Sequence, residues 1–144
     1  PRQRCCWRSP GCCGSPAYLD RFGEPQHPGD LQQHRCLGIR LGDDRIYRWD
    51  FEGPDGEFAV SVPSKIYINE GRAMLGLALG GAGLMYGSEQ LFAPYCARGE
   101  LRIVLRDWAT TGPGYHVYYS NRRQVPAGLR LLIDLIRELR PLGL

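Results

Sequence analysis

Residues 65–86 read KIYINEGRAMLGLALGGAGLMY and contain three predicted elements in succession. Residues 65–68 carry β-forming side chains and predict a short strand. Asn69 can cap the helix that follows, whose apolar residues recur at helical spacing as Met74, Leu75, Ala78 and Leu79. Glycines at 80 and 81 end this helix, and residues 83–86 predict a second short, buried strand. The order strand, helix, strand indicates an α/β domain.

Upstream of this stretch lies a predicted antiparallel hairpin. Tyr47, Trp49 and Phe51 alternate with charged residues, and residues 57–62 alternate again. Residues 53–56, Gly-Pro-Asp-Gly, predict the turn, because proline presets one backbone dihedral angle and glycine accepts a positive φ. We interpret the aromatic residues as one apolar face packed on a core. Base stacking on a sheet is less favoured because few basic residues accompany them.

Further elements flank this region on both sides. They are a helix from the N-cap Ser15 to Gly23, a helix from the cap Ser88 to Gly99, and strands at 36–40, 101–106 and 115–119. Strands therefore alternate with helices around one hairpin. That order predicts an α/β domain with a mixed sheet.

The last predicted helix begins at Pro126 and has a broad apolar stripe. On one face, at helical spacing, lie Leu129, Leu132, Ile133, Ile136 and Leu139. Leu131 and Leu135 widen this stripe beyond what one packing surface needs. Two interpretations stay open: a second contact with another subunit, and a deeply buried helix.

The charge and hydropathy patterns exclude some classes of protein. The chain has 144 residues, enough for one domain or one domain with a piece of another. Its net charge is only +3, and no basic stripe lies outside the first eight residues, so no nucleic-acid-binding face is indicated. There is no apolar run long enough for a transmembrane helix and no secretion signal. We therefore expect a cytoplasmic protein with no membrane partner. Residues 1–14 show no apolar period and predict an irregular segment.

Six cysteines raise the question of a metal site. Residues 5–6 and 12–13 form two vicinal pairs, a spacing that does not match the Cys-x2-4-Cys pattern of structural zinc sites. We expect no metal site, and we interpret these paired thiols as solvent-accessible or weakly packed. Cys36 and Cys96 stand in apolar surroundings and are expected to be small buried hydrophobes.

No combination of residues indicates catalysis. The glycine-rich residues 80–83 follow a helix, whereas a dinucleotide-binding loop follows a strand and opens a helix. The aspartates at 43–44 lie in a predicted turn, and Asp50 and Glu52 lie on a solvent-facing strand edge, so we interpret all four as solvated carboxylates. His116 fits a packed or edge position in a strand. We expect no enzyme activity and no cofactor.

Three groups of residues, in order, resemble LysR-type bacterial transcriptional regulators. The first is Ser-Pro-Ala-Tyr-Leu at 15–19 followed by Gly23, Pro25, His27-Pro28 and Asp30-Leu31. The second is residues 34–37 and 47–51. The third is Asn69, residues 83–86, 91–94 and 118–123, Pro126 and Leu129. The ordered series covers about residues 15–140, and its order is more specific than any one group.

The resemblance implies a periplasmic-binding-protein-like (type II) fold, in which two α/β subdomains hold a small-molecule effector between them. Residues 15–144 would be a partial effector-binding domain, with the whole second subdomain and only the last strand and helix of the first. The winged helix-turn-helix has no counterpart in the sequence, so DNA would be a partner only through that absent N-terminal module. The other expected partners are a small anionic effector and further copies of the chain in a homodimer or homotetramer.

The resemblance also implies which residues border the effector. They are Ser15 at the crossover, Ile68 and Asn69 at a helix N-terminus, and Gly83, Met85 and Tyr86 at the floor. A helix N-terminus offers free N–H groups to a carboxylate. Gly87-Ser88 stands where the family often has proline, which alters that wall. Capping or packing is an equally good interpretation of each residue.

Two alternatives to a regulator's sensor domain stay open. A solute-binding protein of related fold would need a secretion signal. A truncated fragment would have no function, because its last helix would lack the sheet that it normally covers.

Overall fold

The computed structural model describes residues 10–110 and 126–139. Residues 10–110 belong to one compact unit, and the helix at 126–139 belongs to a second. The elements of the first unit are β1 (Pro10–Gly14), α1 (Pro16–Phe22), a 3₁₀ helix (Pro28–Gln33), β2 (Cys36–Arg40), β3 (Ile46–Tyr47), β4 (Trp49–Gly53), β5 (Gly56–Val60), β6 (Ser64–Ile68), α2 (Gly71–Leu79), β7 (Met85–Ser88), α3 (Glu89–Ala97), β8 (Arg102–Val104) and a 3₁₀ helix (Arg106–Trp108). The helix of the second unit is α4 (Ala127–Leu139).

The strands within residues 10–110 form two three-stranded sheets and a hairpin. β1 lies between β7 and β8 and is antiparallel to both, while β2 lies between β3 and β6 and is parallel to β6. A parallel bridge from Cys36 to Leu84 joins β2 to the start of β7. The expected mixed sheet is therefore confirmed. The carboxyl ends of β2, β6 and β7 all lie at one edge, and their amino ends lie at the opposite edge.

Apolar cores cover both faces of β1. Cys12 lies in a core with α1 and the hairpin, whereas Cys13 lies in a core with α2 and α3. Side chains alternate along a strand, so adjacent cysteines point to opposite faces. Burying a large apolar side chain contributes about 1.5–3 kcal/mol, and the second core buries Met74, Phe92 and Met85. The result is a sheet with apolar cores on both faces.

The prediction of an irregular segment at residues 1–14 is wrong for Pro10–Gly14, which form the central strand β1. Cys12 and Cys13 are 1% and 0% exposed, so the interpretation of accessible or weakly packed thiols is also wrong for this pair. A short strand of small residues carries no apolar period, and only its neighbours reveal it. Cys36 is buried as expected, and Cys96 is half-buried.

The predicted hairpin is confirmed, with Gly53 opposite Gly56 and a φ of 111° at Gly56. Trp49 and Phe51 are buried in the core, which confirms the packing interpretation. Tyr47 belongs to a separate short strand, because the chain leaves β3 at Arg48 before it enters β4. The predicted aromatic stripe is therefore divided between the sheet that contains β3 and the hairpin.

Three helix predictions also have outcomes in the structure. The helix after Ser15 is present, and the Ser15 hydroxyl accepts a hydrogen bond from the Tyr18 N–H over 3.3 Å. The N-cap of α2 is Glu70, so the assignment of the cap to Asn69 is wrong by one residue. The last predicted helix is present as α4, and its Leu131 is 71% exposed. The strand expected at 115–119, with His116, lies outside the described residues.

Candidate functional site

Two helix N-termini lie side by side at the edge where the parallel strands end. α2 follows β6 after Asn69 and Glu70, and α3 follows β7 directly. A Cβ atom added to Gly71 would lie 3.4 Å from Cδ2 of Leu91, which places the first turns of the two helices in contact. Ligands of open α/β sheets bind at such carboxyl edges, and helix N-termini present N–H groups to anions.

The N-terminus of α2 is already occupied by a carboxylate of the chain. Glu70 accepts hydrogen bonds from the backbone N–H of Arg72 at 2.9 Å and of Ala73 at 2.6 Å. These two bonds lower the pKa of the Glu70 carboxyl below its usual range. The positive end of α2 is therefore partly neutralised before any ligand arrives.

The N-terminus of α3 is different. Its N-cap is Ser88, whose side chain makes no capping hydrogen bond. The carboxylate of Glu89 lies 3.4 Å from the guanidinium of Arg106, so its charge is partly compensated by a side chain beside β8. The first turn of α3 is thus the better position at this edge for a ligand carboxylate. The sequence predicted Ser88 as the cap of this helix but did not place it among the residues that border the effector.

The six residues expected to border the effector divide between the two edges of the sheet. Ile68 ends β6 and Asn69 follows it, so both lie at the carboxyl edge beside the two helix N-termini. Ser15 and Gly83 lie at the opposite edge, after β1 and before β7. Met85 and Tyr86 lie within β7 and are buried. The structure thus brings only two of the six to the helix N-termini.

Ser15 and Gly83 have clear structural roles at their edge. The Ser15 hydroxyl caps α1, and the side chain is 4% exposed. A Cβ atom added to Gly83 would lie 2.4 Å from the backbone oxygen of Arg35, so only glycine fits against this strand without a shift. For these two positions the packing interpretation describes the observed contacts.

Tyr86 connects the sheet to the hairpin. Its hydroxyl donates to the backbone oxygen of Asp50 at 2.7 Å and accepts from the Asp50 N–H at 3.2 Å. The Trp49 ring stacks on Tyr86 with centroids 5.3 Å apart. Tyr47 donates to the Asp50 carboxylate, and burial together with this bond raises the pKa of Tyr47 to about 12. Both phenols are therefore neutral hydrogen-bonding groups at physiological pH.

The carboxylates expected to be solvated show local, structural contacts. Asp43 forms a 2.6 Å ion pair with Arg45, and Asp44 occupies a turn position with a φ of 63°. Within residues 10–110 and 126–139, no cluster of three His, Cys, Asp or Glu residues could hold a metal ion. In the same ranges, no helix has the length and apolar character needed to span a bilayer.

A family model described as the LysR substrate binding domain matches residues 4–141. The HTH-type transcriptional regulator YcaN of Escherichia coli K12 is 34% identical over 85% of the chain and 40% of its own length. The LysR family substrate binding domain-containing protein YagP of the same strain is 36% identical over 74% of the chain and 79% of its own length. The regulatory domain of CrgA, a LysR-type transcriptional regulator from Neisseria meningitidis, superposes with a TM-score of 0.70 at 26% identity, over 92% of the chain and 64% of that domain.

A full-length AphB structure has a TM-score of 0.73 over 94% of the chain at 19% identity, which shows a shared fold. The chain spans 42% and 40% of two of the curated regulators that it matches.

Proposed function

The chain belongs to the LysR substrate-binding domain family, and from this premise we propose that it is the effector-sensing part of a DNA-binding transcriptional regulator. The effector is a small anion held between two α/β subdomains, of which residues 10–110 form one. Contact with DNA is made by a module outside this sequence. Curated relatives are transcriptional regulators, which favours this role over a solute-binding protein and over an enzyme.

The observation that carries the proposal is the pair of helix N-termini at the carboxyl edge of the sheet. The first turn of α3 lacks a capping side chain, whereas Glu70 already caps α2. We therefore place the effector carboxylate at Ser88 and the start of α3. Ile68 and Asn69 contact the body of the ligand from the end of β6.

The other four residues of the implied site support this edge from a distance. Met85 and Tyr86 fix the course of β7, which ends at Ser88, and Tyr86 also holds the hairpin. Gly83 allows β7 to start against the residues before β2, and Ser15 caps α1. In this proposal these four residues shape the pocket, and a change at any of them alters ligand binding through the backbone.

Signal transmission follows from differential binding. An effector that binds one arrangement of the subdomains more tightly shifts the population toward that arrangement. A homodimer or homotetramer in the cytoplasm would convert this shift into a change at the DNA-binding modules. The apolar stripe of α4, with Leu131, Leu132 and Leu135 exposed, suits a contact with another copy.

The proposal is tested by nuclear magnetic resonance of the ¹⁵N-labelled chain with small carboxylic acids such as benzoate and succinate. We expect saturable shifts of the amides at 68–70 and 88–90, since weak binding to one subdomain still perturbs its local amides. Ser88→Ala and Asn69→Ala should weaken the response, while Ser61→Ala, an exposed serine on the loop before β6, should leave it unchanged. Two results would contradict the assigned position. One is ligand-induced amide shifts that Ser88→Ala and Asn69→Ala leave unchanged, and the other is no shifts at this edge with any acid.

A further inference from the structure

A cavity of about 910 Å³ opens at the other edge of the same parallel strands. Its lining includes Cys36 and Leu37 at the start of β2, Ser64 and Lys65 at the start of β6, and Ala82 ahead of β7. It contains none of the six residues that the family resemblance implies for the effector. Its volume is within the range of small-molecule pockets, about 300–1,000 Å³.

The charged side chains that the described part of the chain contributes to this cavity are basic. Arg35 and Lys65 line it, and no aspartate or glutamate does among the described residues. Among residues 10–110 and 126–139, neither cation has an ion-pair partner. The Arg35 guanidinium lies 4.9 Å from the centroid of the Phe22 ring, a contact that positions the group and leaves its charge uncompensated. The cavity therefore has a positive potential.

The backbone of β6 is irregular at this point. Cys36 pairs with Ser64, and the next residue of β2, Leu37, pairs with Ile66, so the register shifts by one residue at Lys65, as it does at a β-bulge. Bulges redirect side chains and are frequent beside binding sites. Lys65 lies at this irregularity and is one of the residues that line the cavity.

The remaining wall is largely apolar. Val62, Leu37 and Ile66 line the cavity, as does Tyr67, whose ring lies over β2 where a Cβ atom on Gly38 would come within 2.5 Å of it. An inorganic ion would leave these side chains without contacts. The lining fits a molecule with one charged end and an apolar body.

We propose that this cavity is a second ligand site, which binds a small organic carboxylate with an apolar body. The carboxylate pairs with Arg35 and Lys65. The site is separate from the proposed effector position, because the two lie at opposite ends of the same parallel strands.

The test is a ¹⁹F nuclear magnetic resonance titration of the full chain with 4-fluorobenzoate, with 4-fluorobenzyl alcohol as the uncharged control. We expect saturable binding of the acid, weakened about tenfold or more by Lys65→Gln (K65Q) or Arg35→Gln (R35Q), as for the loss of a charged hydrogen bond. Lys65→Arg should retain binding. Arg45→Gln, which removes the same charge from an exposed turn, should bind as the unaltered chain does. Unfolding temperatures verify that each variant is folded.

Three results would overturn the second site. The first is that both K65Q and R35Q bind 4-fluorobenzoate as tightly as the unaltered chain does. The second is that the alcohol binds as tightly as the acid, and the third is that inorganic phosphate displaces the acid with the same affinity.

Asn69→Ala distinguishes this proposal from the proposed function. If Asn69→Ala abolishes binding and K65Q does not, the acid occupies the effector edge, and the second site is wrong while the sensor proposal stands. If K65Q abolishes binding and Asn69→Ala does not, the second site is supported independently.

Discussion

At the scale of single residues, some glycines are required by the fold because a side chain would not fit there, whereas others have room for a side chain. Gly83 lies where a side chain would meet the Arg35 backbone, whereas a Cβ atom on Gly76, inside α2, would meet nothing within 4 Å. Both glycines interrupt an apolar stretch of sequence, so the sequence pattern alone does not distinguish them. The difference lies in the neighbouring strand, which the sequence does not place.

These two glycines give a matched pair of substitutions. Gly83→Ala should lower the free energy of unfolding by about 1–3 kcal/mol, because a methyl group is forced into a packed backbone. Gly76→Ala should raise it by about 0.5–1 kcal/mol, because alanine favours the helix and has open space there. Urea unfolding followed by circular dichroism measures both. Equal effects of the two changes would contradict the close approach at Gly83.

At the scale of elements, the sequence predicted the helices and the hairpin well and the short strands less well. The hairpin and α2 have strong local patterns, with a proline–glycine turn in one and helical apolar spacing in the other. β1 has neither, and β7 begins two residues later than expected, at Met85. Short strands of small residues are defined by their pairing partners, so their bounds depend on the tertiary structure.

The candidate site was likewise predictable only in part. Ile68 and Asn69 lie where a strand end meets a helix start, and local pattern together with the family resemblance pointed to them. Glu70 was missed as the cap of α2, because Asn69 and Glu70 both accept hydrogen bonds and sequence cannot choose between neighbours. Ser88 was predicted as a cap, but its open hydroxyl is visible only in the structure.

The cap of α2 has a consequence for stability against pH. The folded state lowers the pKa of Glu70, so its contribution is present above the unfolded pKa and is lost as the pH falls through the folded pKa. Glu70→Gln should therefore be less stable than the unaltered chain at about pH 6, and the difference should shrink below about pH 4. Thermal unfolding over this pH range measures it. Glu57→Gln, an exposed glutamate on the hairpin, is the control, and the same pH dependence in both variants would refute the capping role.

At the scale of the whole molecule, the buried thiols report on the folded state of the first unit. Burial raises the pKa of Cys36 to about 12 and raises those of Cys12 and Cys13 as well. Only the thiolate reacts with alkylating agents. The accessibility of these three sulfurs therefore follows the integrity of both cores.

Alkylation with iodoacetamide at about pH 8 should leave Cys12, Cys13 and Cys36 unmodified in the folded chain, because so little thiolate forms there. Cys96, which is half-buried, should react faster than these three. Mass spectrometry of peptides measures each site, and the same reaction in denaturing urea gives the fully reactive reference. Rapid labelling of Cys12 or Cys13 without urea would show that β1 is not packed as described.

The alternation along β1 has a consequence for how this unit can change during evolution. Cys12 and Cys13 belong to separate cores only because consecutive residues point in opposite directions. Removing or adding one residue inside Pro10–Gly14 would turn every later side chain of the strand to the opposite face of the sheet. Replacing one small apolar residue of the strand by another would disturb a single contact. We therefore expect β1 to tolerate substitutions among small apolar residues more readily than insertions or deletions. The number of residues in β1 should change less during evolution than their identity.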